Sequence, residues 1–222
     1  MKLTSKTWLI IVLILLIILI AFLPVTDMKI SITGAVVSKV FVRGAQSNVS
    51  CTAPLSQGWN LMSIPCLSSN ASPLYVLYSL GDNLSSVHQY DADDPSDHWK
   101  VYNPSGPAWV VQDITAMSEK KGYWIYVLNA STLSANGTLT NPNQINLMKG
   151  WNLIGYPASS QKTAAEAFSS IDGGYTMVWS YNGSTGEFSY YTVSEGNGTL
   201  TTIKPNLGYW LNTTDNDLLF IS

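Results

Sequence analysis

The pentapeptide Gly58-Trp59-Asn60-Leu61-Met62 returns as Gly150-Trp151-Asn152-Leu153-Ile154, and each copy is followed by a Gly-Tyr-Trp, at Gly122-Tyr123-Trp124 and Gly208-Tyr209-Trp210. A chain written twice must fold as two like units packed together, and self-similarity of this kind belongs to architectures that build surfaces. The repeats run over residues 51–140 and 141–222. Each is too short to bury a comfortable core alone, so a packed pair is expected.

Both copies spell out the same order of elements. A strand carries Gly-Trp-Asn-Leu. A short helix follows, opened in the first copy by Ser72-Pro73 and in the second by Thr163 ahead of Ala164-Ala165-Glu166-Ala167-Phe168; Ser and Thr are N-cap residues, and Pro suits the first helical position. Two β-rich runs then form a hairpin. Val87-His88-Gln89-Tyr90 with Trp99-Lys100-Val101-Tyr102 matches Val178-Trp179-Ser180-Tyr181 with Phe188-Ser189-Tyr190-Tyr191, each pair joined by an Asp- or Gly-rich turn. The strand built on Gly-Tyr-Trp and a last apolar strand close the copy. The expected fold class is mainly β, antiparallel, with one short helix per repeat and two pseudo-symmetric repeats after an N-terminal transmembrane helix.

These motifs resemble the tandem Gly-Trp-Asn-Leu / Gly-Tyr-Trp repeat modules of archaeal and bacterial secreted or cell-surface proteins. Gly58 to Pro65 with Gly122 to Ile125, and Gly150 to Pro157 with Gly208 to Leu211, carry the likeness. The resemblance implies an accessory or structural part of the cell surface and brings no assigned chemistry. This chain has two copies and no other recognisable domain.

The N-terminus supplies an address. Residues 1–26 hold an apolar run whose span from Trp8 to Val25, 18 residues, would be about 27 Å of helix, enough for a hydrocarbon core. A cleaved secretory signal is the competing reading, with Lys2 and Lys6 as its positive flank; the run is longer than the usual signal core, and Ala21-Phe22-Leu23 lacks small residues at both positions before a cut. A signal anchor is therefore expected, with membrane contact through residues 8–25. Residues 27–50 read as a stalk or leading strand. Flanking charges nearly tie, so orientation rests on other signals. Eight Asn-X-Ser/Thr sequons, at Asn48, Asn70, Asn83, Asn129, Asn136, Asn182, Asn197 and Asn212, follow the apolar run, where composition alone predicts about three. Such acceptors belong on extracytoplasmic loops.

Cys51 and Cys66 bracket the first Trp-Asn-Leu strand, and both are missing together from the second copy, where Asn143 and Ala158 stand at the matching positions. Joint loss is what a bonded pair shows, and a disulfide points to an oxidising compartment. Two unrelated free thiols are the alternative.

Several constellations invite chemistry. Trp59, Trp124, Trp151 and Trp210 recur in register and are expected in the core. Trp99, Trp109 and Trp179, which lack counterparts of their own kind, are the candidates for an exposed ligand platform, with Tyr190-Tyr191 beside them. Asp91, Asp93, Asp94 and Asp97 crowd one turn as a weak Ca²⁺ candidate that lacks the Gly and the terminal Glu of an EF-hand; a solvated acidic turn is the simpler reading. Asp113 and Glu119 could serve as a glycosidase carboxylate pair, as could any two acids. His88 and His98 are the two histidines, no nucleophile elbow precedes a helix, and no zinc or dinucleotide motif occurs. No cofactor and no resident metal are expected. Charged residues are 11% of the chain and the formal charge is -3, without the basic footprint that nucleic acid requires.

The expected function is a membrane-anchored structural or adhesive module, glycosylated and without enzymatic activity, at the cell surface with its C-terminal domain outside. Its partner would be a surface protein or a glycan. Carbohydrate binding is the alternative and a glycosidase-type enzyme the third reading.

Overall fold

A computed structural model of the chain describes residues 48–107, 109–139 and 143–221. The anchor read at 1–26 and nearly all of the 27–50 stretch lie outside them. Among the described residues no helix is long and apolar enough to cross a membrane.

Every named strand pairing among the described residues is antiparallel. In the first copy, β1 (Val49–Leu55) leads into β2 (Gly58–Met62) and the short β3 (Cys66–Leu67). Helix α1 (Pro73–Val76) and a 3₁₀ turn precede β4 (Leu84–Tyr90) and β5 (Trp99–Tyr102), followed by β6 (Tyr123–Val127) and β7 (Ser131–Leu139). The second copy runs β8 (Asn143–Leu147), β9 (Gly150–Gly155), β10 (Lys162–Thr163), α2 (Ala164–Ala167), β11 (Tyr175–Asn182), β12 (Glu187–Thr192), β13 (Asn197–Gly198), β14 (Thr202–Ile203), β15 (Gly208–Thr213) and β16 (Asp217–Ile221). The larger sheets have the orders β2-β6-β4-β5 and β13-β12-β11-β15-β9. Beside them lie β1-β7-β3, β16-β8 and β10-β14.

Each Gly-Trp-Asn-Leu begins with a turn that only this sequence makes cheaply. Gly58 and Gly150 have φ of +93° and +95°, a region where a Cβ is strained. Two residues on, the buried Asn side chain ties the turn shut. Asn60 Oδ1 accepts the Ser56 N–H at 2.9 Å while its Nδ2 donates to the Ser56 and Gly58 carbonyls. Asn152 repeats this on Met148 and Gly150. The motif is thus a hairpin device: glycine permits the bend and asparagine satisfies backbone groups that burial would otherwise orphan.

The helix starts differ. Thr163 and Glu166 form a capping box, each side chain bonding the other's backbone N–H. Ser72 stands at the N-cap of α1, but its hydroxyl donates to Asn70 Oδ1 instead of capping.

Two apolar clusters form the cores. One gathers Val76, Leu80, Val87, Tyr123 and Ile125 with their neighbours, the other Phe168, Val178, Ile203, Tyr209 and Leu211, and Leu207 touches both. Cys51 and Cys66 are disulfide-bonded, linking β1 and β3 on either side of β7. Closing a loop of 15 residues contributes about 3 kcal/mol in the chain-entropy model.

Backbone interlocks the two copies. Ser63 N–H donates to the Asn206 carbonyl at 3.0 Å, and Gly155 N–H to the Lys120 carbonyl at 2.9 Å. Isolated bridges join Met62 to Leu207 and Lys121 to Ile154. At this seam the glycine of each Gly-Tyr-Trp lies against the other copy's Gly-Trp-Asn-Leu strand. A Cβ on Gly122 would sit 2.8 Å from the Ile154 carbonyl oxygen, and one on Gly208 2.9 Å from that of Met62.

Candidate aromatic binding face

Strand alternation places the site. On β6, Tyr123, Ile125 and Val127 point into the core, so Trp124 and Tyr126 stand on the opposite face. Registers Leu61↔Trp124, Trp59↔Tyr126, His88↔Trp124 and Tyr90↔Trp99 bring β2, β4 and β5 onto that face. In the second copy, Leu153↔Trp210, Trp179↔Trp210 and Tyr181↔Phe188 do the same.

The four recurring tryptophans are therefore not core residues, contrary to expectation. Trp59 and Trp151 are 39% and 40% exposed, and Trp124 and Trp210 half-buried. The fully buried aromatics of the motifs are instead Tyr123 and Tyr209. Each phenol accepts a backbone N–H five residues upstream, from Ser118 at 2.7 Å and Lys204 at 2.6 Å, and donates to the same residue's carbonyl. Burial pushes both phenols far above the ordinary tyrosine value. A tyrosine can be buried when its hydroxyl finds such a partner. The signal was present in Tyr123-Trp124-Ile125-Tyr126-Val127, where the aliphatic residues share the parity of the tyrosine.

The outward rings form two contact networks, and each crosses between copies. Trp124 meets Tyr181 at 5.1 Å and Phe188 at 6.2 Å; Trp210 meets Tyr90 at 5.1 Å and Trp99 at 6.0 Å. Within the copies, Trp59 lies edge-on to Trp124, and Trp151 edge-on to Trp210, both at 6.3 Å. Trp59, His88, Trp99 and Trp124 line a cleft of about 410 Å³, within the range of small-ligand sites. No lining side chain carries a formal charge at neutral pH.

His88 stands 5.3 Å from Trp59 in an edge contact, with Nε2 3.2 Å from Ser86 Oγ. Burial holds its pKa below the ordinary histidine value, so the ring is neutral at pH 7. His98 stacks on Tyr90 at 4.8 Å, its Nδ1 2.9 Å from the Asp91 carbonyl oxygen.

Of the platform candidates, Trp99 is 46% exposed and belongs to the cleft. Trp179 is half-buried, packed on Tyr190 at 5.4 Å and Phe188 at 6.1 Å. Trp109 is 82% exposed on the loop between β5 and β6 and does not line the cleft. Tyr191 packs against the second core.

The acidic turn is an ion-pair cluster. Lys100 Nζ donates to Asp94 at 2.8 Å and Asp97 at 3.0 Å, and Lys121 to Asp91 at 2.9 Å. The Lys100 ammonium holds the Asp94 carboxyl well below the usual range. For Asp91, burial pushes the pKa up, but Lys121 and the Asp93 N–H outweigh it. Asp93 is exposed, and among the described residues no three His, Cys, Asp or Glu side chains converge to hold a metal. Asp113 accepts the Val101 N–H, and Gln112 pairs with both backbone groups of Asn103. Together they close the free edge of β5, the kind of edge that otherwise recruits other strands. Glu119 lies half-buried at the seam, its carbonyl oxygen against Gly155.

Asn48, Asn70, Asn129, Asn136, Asn182 and Asn197 are exposed, whereas Asn83 and Asn212 are half-buried. Asn83 Nδ2 donates to the Asn129 carbonyl, while Asn129 N–H donates back to Asn83 Oδ1. Ser131 Oγ, which completes the Asn129 sequon, is buried without a hydrogen-bond partner. Compared with known proteins, the chain matches no family model, no curated protein and no solved structure.

Proposed function

We propose that the chain is a membrane-anchored, extracytoplasmic adhesive module that binds a neutral glycan on its aromatic face. The observation that carries this reading is the cleft between Trp59, His88, Trp99 and Trp124. Indole faces stack on the apolar faces of sugar rings, and their N–H groups, with the His88 imidazole, offer hydrogen bonds at the edges. A wall without charge favours an uncharged ligand. Ser86, whose Oγ lies 3.2 Å from His88 Nε2, adds a polar group beside the apolar floor.

The placement outside the cell is supported by the apolar run 8–25, the Cys51–Cys66 disulfide and the exposed sequons. The likeness to surface-protein repeats agrees with it. Those sequons would carry glycans that shield the loops. The two copies are read as related by an approximate rotation, because cross-copy contacts occur in matched pairs: Trp124 with Tyr181 and Phe188, against Trp210 with Tyr90 and Trp99. None of this requires catalysis, and the cleft lining includes no carboxylate.

The test is a glycan array probed with the detergent-solubilised full chain. Binding to neutral glycans that drops at least about ten-fold in Trp99→Ala, with the thermal melt retained, supports the reading; Trp109→Ala leaves binding intact. A blank array, or equal binding by the Trp99→Ala chain, rejects it.

A further inference from the structure

The aromatic face has the same framework in both copies but a different centre. His88 on β4 stands across from Trp124 and, on its other side, Val101. Trp179 on β11 stands across from Trp210 and Tyr190 at the corresponding positions. The flanking tryptophans keep their arrangement, with interplanar angles of 90° for Trp59 on Trp124 and 88° for Trp151 on Trp210. What changes is volume. A His–Val cross-strand pair in the first copy becomes a Trp–Tyr pair in the second.

In the first copy the small pair leaves the cleft of about 410 Å³. In the second the bulkier Trp179 stands at the corresponding cross-strand position. It packs on Tyr190 at 36° and edge-on to Phe188 at 73°, and its Nε1 donates to Met177 Sδ at 3.2 Å. The hydrogen bond and the two ring contacts hold the indole over its own sheet. Swinging aside would break this hydrogen bond and uncover the rings beneath.

We propose that the chain carries one glycan subsite, in the first copy, sized for an uncharged pyranose ring, and that His88 and Trp179 decide which half is open. The inference rests on the glycan reading above. Duplication built the framework twice, and Trp179 with Tyr190 fills the second site from within. The His88 ring nitrogen is then the polar contact of the open site, whereas the second half contributes apolar wall alone.

The experiment is calorimetric titration of the detergent-solubilised full chain with cellohexaose, chitohexaose and mannohexaose, alongside thermal melts of every variant. The wild type is expected to bind at least one of these with a stoichiometry of one. H88W should weaken binding by about ten-fold or more while melting cooperatively. W179H combined with Y190V should raise the stoichiometry to two. Should H88W fail to fold, V101Y narrows the same cleft from the neighbouring strand and is expected to give the same loss. Wild-type stoichiometry of two, undiminished binding by folded H88W and V101Y, or a folded W179H/Y190V chain that still binds once overturns the single-site assignment while leaving the glycan reading standing. A wild type that binds none of the three sugars overturns the pyranose subsite, and a blank glycan array overturns the glycan reading with it.

Discussion

At the scale of single residues, the asparagine of the repeated pentapeptide carries more of the fold than the tryptophan beside it. Asn60 and Asn152 are each 4% exposed and each satisfies backbone groups on both sides of a glycine turn. Alanine there strips the partners from half-buried backbone groups, which costs about 1–3 kcal/mol, with the smaller cost at Asn152, where Thr213 Oγ1 still donates to the Met148 and Gly150 carbonyls. Urea denaturation of Asn60→Ala and Asn152→Ala should show lowered midpoints with unchanged slopes; midpoints equal to the parent would sink this role. His88 makes a prediction of opposite character. Its pKa is lowered in the folded state by burial, so below the unfolded value of about 6.5 the unfolded chain binds a proton that the folded chain resists. Stability contributed by the neutral ring is thus complete above that value and declines as pH falls towards the folded pKa. Melting temperatures recorded from pH 7 to pH 5 should fall more steeply for the parent than for His88→Gln, and parallel curves would show that His88 takes no part.

At the scale of elements, the two motifs of a repeat are halves of an interlock with the other copy. Gly122 and Gly208 are small because the partner strand's backbone passes within contact of where a Cβ would be. Gly122→Ala and Gly208→Ala should each destabilise by about 1–3 kcal/mol through overpacking, read as a drop in melting temperature, whereas an alanine accepted at no cost would mean that the seam yields freely. The hairpins and the order of elements along each copy could be read from the chain because their periodicity and turns are local: Val87 to Tyr90 and Val178 to Tyr181 pair as the apolar runs suggest. Sheet orders such as β2-β6-β4-β5 could not. The disulfide could be inferred because both cysteines vanish together from the second copy. The seam could not, since Ser63 bonding Asn206 is a contact between distant segments that no local pattern records. Recurrence also misplaced the tryptophans. Recurrence in both copies suggests burial, whereas period-2 alternation puts the Tyr and Trp of one Gly-Tyr-Trp on opposite faces. The tyrosine wins the inside because its hydroxyl has a backbone partner five residues away. The cleft itself depends on side chains from β2, β4, β5 and β6 meeting in space, beyond what spacing along the chain conveys.

At the scale of the molecule, the described residues contain two cores within one compact unit. Leu207 of the second copy touches both clusters, backbone hydrogen bonds cross the seam in both directions, and the aromatic layer passes from Trp124 to Tyr181 and from Trp210 to Tyr90. A single copy cut free would expose Leu61 or Leu153, which are almost fully buried, together with half of the ring layer. A fragment of under about 100 residues has little burial to spare against the entropy of ordering its chain. Fragments 47–140 and 141–222 should therefore show disordered circular dichroism alone and regain β structure when mixed, and the parent should melt in one transition by both near- and far-ultraviolet signals. The second copy is the sharper case, because it lacks the disulfide that restrains the unfolded first copy. A 141–222 fragment that melts cooperatively near the parent's temperature would show that the interlock adds nothing to folding and that each repeat is a domain in its own right.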